Sequence, residues 1–202
     1  MAERGVSDLP RLFAALDTPN IVAANWVRSA VDEIVDRELA RKRPAADWPL
    51  VELKSFARDG ERQGRARRLA VDLLERLEPG YRATLLRESL GDREFRDDAV
   101  ALAVSEADAA RKAGRNDEAL RGYRAAFAQA RDGDQVLLSA RKLKELGQDA
   151  DPIRHLGFVT RWRLVGPFDA PGVSGFDAQF APEKSLAMSP TKPLDFDATY
   201  EG

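Results

Sequence analysis

The chain has 202 residues, 44% hydrophobic and 33% charged, which is enough for one or two domains with an apolar core and too hydrophobic for an intrinsically disordered chain. Thirty-two Lys and Arg stand against 34 Asp and Glu, a formal charge of −2, so no overall field draws the molecule to nucleic acid or to an anionic membrane. With no cysteine and one histidine it has no thiol nucleophile, no disulfide framework and no Cys/His metal cage.

No run approaches the roughly 20 consecutive apolar residues that a membrane span requires. Residues 1–10 (MAERGVSDLP) lack the basic and apolar regions of a signal peptide, so the chain as it stands is expected to be soluble and unexported. Absence of cysteine fits a reducing cytoplasm and equally fits many exported bacterial proteins, which leaves the compartment open.

From residue 7 to 156 apolar residues recur at intervals of three and four, the pattern of a series of amphipathic helices. The first carries Leu9, Leu12, Phe13 and Leu16 and stops at Asp17, with Thr18 as the next cap and Pro19 at the first helical position. The second places Val22, Trp26, Val27, Ala30, Val31, Ile34, Val35 and Leu39 on one broad stripe and ends in Arg37, Arg41, Lys42 and Arg43, cations suited to the negative end of the helix dipole. A short helix with Leu50, Leu53, Phe56 and Ala57 follows, closed by Gly60. The cleanest stripe comes next: Ala66, Leu69, Ala70, Leu73, Leu74 and Leu77. Pro79 opens another helix, with Tyr81, Leu85, Leu86 and Leu90 inward. Three more are expected at about 94–113, 116–131 and 134–146, with Gly114, Gly133 and Gly147 where left-handed helix ends are wanted. Loops this short force successive helices to pack antiparallel.

Near residue 157 the period changes from about 3.6 to 2. Phe158, Thr160, Trp162 and Leu164 alternate with Val159, Arg161, Arg163 and Val165, and a second alternation covers 194–200, so two strands are expected. Five of the eleven prolines lie in 166–202. The fold class that follows is mainly α, an antiparallel helical-hairpin repeat of α-solenoid type over 7–156, with a short C-terminal β segment at 158–202. Two strands cannot cover a sheet face, so that segment reads as an incomplete β-sandwich.

Residues 112–127 (KAGRNDEALRGYRAAF) resemble the centre of a tetratricopeptide repeat, with Gly114 at the inter-helix turn and Ala119, Leu120, Tyr123, Ala126 and Phe127 at packing positions. The resemblance implies a tetratricopeptide-like pair over 94–147, and the earlier helices, 7–91, look more like HEAT-type pairs. Residues 161–168 (RWRLVGPF), followed by 175–180 (GFDAQF), Pro182, Glu183, Lys184 and 200–202 (YEG), are similar to the opening of a β-sandwich module of large multidomain bacterial cell-envelope proteins, in which a helical-repeat segment precedes a galactose-binding or jelly-roll fold. Carbohydrate would then be a ligand only of a completed module, and the chain would be a fragment of an envelope or exported protein.

The arginine-rich run at 58–68 has no interleaved aromatic residue and reads as a solvated helix face rather than a phosphate or RNA grip, with Arg67 a surface side chain. Asp92, Glu94, Asp97 and Asp98 read as dipole-favoured carboxylates of a first helical turn, not a cation site. Asp132 and Asp134 flank a helix-to-helix turn, with Asp134 as its cap. His155 lies beside Asp151 with no serine nucleophile or oxyanion turn near it and reads as a packing residue. Trp26, Trp48 and Trp162 read as packing residues, Trp48 being the one expected to be half exposed. No catalytic, cofactor or metal residue is assigned, and no nucleotide, zinc or nucleophile-elbow motif occurs.

The expected function is therefore non-enzymatic: a protein-interaction scaffold whose stacked helix pairs bind a protein or peptide. In the tetratricopeptide-like register Ala101, Val104, Asp108 and Arg111 face a peptide groove, the alternative being that Asp108 and Arg111 pair with each other in solvent. The competing reading is an accessory piece of a larger envelope enzyme or carbohydrate-binding protein.

Overall fold

The computed structural model describes residues 5–159 and 179–184. The chain divides into two units, residues 1–156 and 157–202, each taken by itself. The first unit is helical. After a 3-10 turn at Val6–Asp8 come α1 (Leu9–Leu16), α2 (Ile21–Ala40), a second 3-10 turn at Ala45–Asp47, α3 (Leu50–Arg58), α4 (Gly64–Leu77), α5 (Tyr81–Arg87), α6 (Arg96–Lys112), α7 (Asn116–Gln129), α8 (Gly133–Glu145) and α9 (Pro152–His155). In the second unit the short helix α10 (Ala181–Lys184) is described. The expected strands at 158–165 and 194–200, and Trp162, lie outside the described residues except for Phe158 and Val159, which belong to no regular element. No helix among the described residues is long and apolar enough to cross a membrane.

Except for α2 and α3, helices adjacent in sequence pack on one another: α1 on α2, α3 on α4, α4 on α5, and so on to α8 on α9. One core lies among α1 to α5 and the start of α6, where Leu9, Phe13, Leu53, Ala57, Ala70, Leu74 and Leu85 are buried and Phe13 meets Phe56 edge-on at 5.6 Å. The other lies among α6, α7 and α8 around Val100, Ala107, Ala110, Ala119, Tyr123, Ala126, Val136 and Leu143. Leu90 packs against both.

The three-residue link between α6 and α7, with Gly114 in the left-handed region at φ +77°, turns the chain back on itself so that the two run antiparallel. Their approach is close because the facing residues are small. A Cβ on Gly122 would stand 2.8 Å from the Cβ of Ala107, inside the separation real methyl carbons adopt. Gly147 is left-handed as expected, but Gly133 is not; it opens α8, and Asp132 rather than Asp134 caps that helix by accepting from the Gln135 N–H. At the start of α2 the cap is Asn20, which accepts from Ala23, while Thr18 Oγ1 accepts from Asn20 itself. Pro79 lies ahead of α5, which begins at Tyr81 after a left-handed Gly80.

Three expectations about burial are overturned. Trp26 is 76% exposed, with Ile21 and Val22 also exposed, because the inward face of α2 runs instead through Ala24, Val31, Ile34 and Val35. Trp48 is only 4% exposed, held where the 3-10 turn folds it into the first core. Arg67 is 2% exposed, since its position on α4 faces the end of α3 and the α5–α6 link. Its Nε donates to the Ala57 carbonyl at 2.9 Å, its two Nη groups donate to Asp92 at 3.1 and 2.6 Å, and its guanidinium lies 4.8 Å from the Phe95 ring centroid.

The rest of the arginine run is also engaged. Arg58 donates to the Tyr81 hydroxyl and to Glu88, Arg62 to Asp17 and Asp59, and Arg68 to Glu94 and Asp98. The basic end of α2 serves more than the dipole. Arg37, Arg41 and Arg43 all donate to the buried carboxylate of Glu38, at 3.1, 2.9 and 2.7 Å.

Candidate functional site

The site begins with helical spacing. On α6, Val104, Ala107 and Ala110 face the core, which leaves Asp108, Arg111 and Lys112, at i, i+3 and i+4, along one flank. On α8, Val136, Ser139, Ala140 and Leu143 face inward, and Lys142 and Glu145 take the flank. Helices α6 and α8 also touch each other, so the two flanks confront one another beside α7.

Tyr123 of α7 is fully buried and joins them: its hydroxyl donates to Asp108 Oδ1, to which Lys142 Nζ also donates at 2.6 Å. The Lys142 ammonium stands 5.9 Å from the Tyr123 ring centroid. Further along, Arg111 donates to Glu145. Asp108, Arg111, Lys112 and Lys142 line an open pocket of about 490 Å3.

The electrostatics follow from these contacts. Lys142 first and the Tyr123 hydroxyl second hold the Asp108 carboxyl below its ordinary value. Burial, followed by the hydrogen bond to the Asp108 carboxylate, pushes the Tyr123 phenol up to about 12. Arg111 lowers Glu145 and is itself raised by that pairing. Three cations of the pocket therefore meet two carboxylates, Asp108 and Glu145, and Lys112 makes no ion pair among the described residues.

The four residues expected in a peptide groove divide unevenly. Asp108 and Arg111 line the pocket, Ala101 is exposed two turns away on α6, and Val104 is buried in the core beneath. Asp108 and Arg111 do not pair with each other; each reaches across to α8. Lys112, Lys142, Tyr123 and Glu145 complete the arrangement. Lys112 was legible as the i+4 neighbour of Asp108, whereas Lys142 and Glu145 required knowing that α8 lies against α6.

His155 packs its ring on Phe127, centroids 4.6 Å apart, with Nε2 2.9 Å from the Ala130 carbonyl. Asp92, expected in a first helical turn, precedes α6 and accepts from the Glu94 and Phe95 N–H groups as well as from Arg67. Among the described residues no group of three or more His, Asp and Glu is placed to hold a metal ion.

Fold and site together define a mainly α-helical protein of several packed helices with a pocket lined by charged residues of α6 and α8. Comparison with protein-family models, curated proteins and solved structures finds no match to this chain.

Proposed function

We propose that the protein is a non-enzymatic interaction scaffold in which stacked antiparallel hairpins, of α-solenoid type, present the α6–α8 pocket to a segment of another protein. The observation that carries this reading is the pocket itself, an open concavity of about 490 Å3 lined by Asp108, Arg111 and Lys112 of α6 and Lys142 of α8. Its walls stand on helices braced by a small-residue interface at Gly122 and Ala107, so the polar groups are presented on a rigid frame. Val104, one of the groove positions expected from sequence, supports the pocket from the core rather than meeting a ligand.

The test is site-specific photo-crosslinking in the source cells, with the reactive residue at Glu145 or Ala101 and a control at Val51 on α3, which is also exposed. A discrete protein adduct at the pocket positions, absent at Val51 and lost with Arg111→Glu, is expected. Identical adduct patterns at all three positions, or none, reject the scaffold reading.

A further inference from the structure

We infer that the occupant of this pocket is an acidic segment of a partner protein, recognised through Lys112 and entering at the Arg111–Glu145 pair. The inference rests on the scaffold reading and adds the partner's chemistry to it.

Charge complementarity carries the argument. The negative charge of Asp108, a half-buried side chain on the pocket wall, is matched by the protein itself: one carboxylate oxygen accepts from both Lys142 and the buried Tyr123 hydroxyl. That pair is braced from two helices. The Arg111–Glu145 pair is more open, at 34% and 42% exposed against 21% and 32% for Lys142 and Asp108, and solvated pairs of this kind hold together weakly, so an incoming carboxylate exchanges for Glu145 at small cost. Lys112, on the same flank as Arg111, makes no ion pair among the described residues and only contributes its field to Asp108, one turn back on α6. A carboxylate lodged between Lys112 and Arg111 completes the pairing that the pocket leaves open. A nucleic-acid backbone fits less well, because it needs a continuing row of cations, while here two carboxylates interrupt the three.

The experiment is fluorescence anisotropy at low ionic strength with the full chain and three labelled probes: a Glu-rich peptide, the same peptide with Gln for every Glu, and a single-stranded oligonucleotide. The Glu-rich peptide is expected to bind, and the Gln peptide to bind about tenfold more weakly or not at all. Lys112→Glu should weaken the Glu-rich peptide about tenfold, and Glu145→Gln should tighten it by freeing Arg111. Arg28→Glu makes the same charge change at an exposed residue of α2 and should have far less effect. Equal binding of the Gln peptide, stronger binding of the oligonucleotide, equal weakening by Arg28→Glu, or no binding of the Glu-rich peptide overturns the inference. Crosslinking that persists at Glu145 in those cases leaves the scaffold reading standing; its loss removes both.

Discussion

Arg67 and Asp92 form two parallel hydrogen bonds, at 3.1 and 2.6 Å, with the guanidinium 2% exposed and its third donor on the Ala57 carbonyl. One side chain thus ties α4 to the end of α3 and to the link that precedes α6, while Asp92 spends its Oδ1 a second time on the Glu94 and Phe95 N–H groups. Arg67→Ala should cost about 3 to 5 kcal/mol, because it strands a partly buried carboxylate and a backbone carbonyl together. Arg67→Lys should recover little, since an ammonium cannot supply the two-pronged geometry. Chemical denaturation checks both, and a loss no larger than that of Arg28→Ala on the solvated face of α2 would refute this role.

The α6–α7 contact sets two familiar effects against each other. Replacing Gly122 by Ala favours a helix interior by about 1 kcal/mol, yet the new methyl meets Ala107 at 2.8 Å, and overpacking of this kind costs about 1 to 3 kcal/mol. A net loss is expected, largely restored by adding Ala107→Gly. Thermal melts of the single and double variants measure it; a stabilised Gly122→Ala would mean that the two helices are not in this contact.

The tryptophans separate cleanly. Trp48→Ala should cost about 3 to 5 kcal/mol by lost transfer energy and a cavity, and Trp26→Ala close to nothing. Leu74→Ala, in the densest stripe of α4, belongs with Trp48 at about 2 to 5 kcal/mol. Equal melting temperatures for the two tryptophan variants would show the inward face of α2 to be misassigned.

At low pH the carboxyls of Asp92, Asp108 and Glu145 are all held below their ordinary values. A depressed folded value means that the stabilisation is present above the unfolded value, near 4, and is lost as pH falls through the folded one. Asp108→Asn should therefore flatten the acid limb of the stability profile, as followed by circular dichroism.

At high pH the sign is opposite. With Tyr123 raised to about 12 against about 10 when unfolded, its contribution is complete below about 10 and disappears as pH rises through about 12. Tyrosinate absorbance should show a late ionisation that Tyr123→Phe removes. Unchanged titration curves in that variant would place the phenol elsewhere than on Asp108.

The helices were legible because their apolar residues repeat at the helical period and their breaks carry Gly, Pro, Asp and Asn, all of which are local signals. Leu9, Leu12, Phe13 and Leu16 needed no partner to be recognised as one face, nor did Gly114 and Gly147 as left-handed helix ends. From the same local information Asp108 and Arg111 could be placed together on a flank of α6.

What the pattern could not decide was which flank meets which neighbour. The fold reverses the two tryptophans: Trp26, read on the apolar stripe of α2, is exposed, and Trp48, expected to be half exposed, is buried, since burial depends on the helix that lies opposite and not on the side chain's own hydrophobicity. Arg67 sits among arginines that look like a solvated face, and only a carboxylate 25 residues further along, brought close by the turn of α5, makes its burial possible. The pocket is of the same kind: Asp108 waits on Lys142, 34 residues away, and Arg111 on Glu145, so the site exists only once α6, α7 and α8 have packed. Local periodicity determined the helices. Their packing determined which charges are paired, because electrostatic partners are chosen by distance in space and the helical repeat carries no information about that.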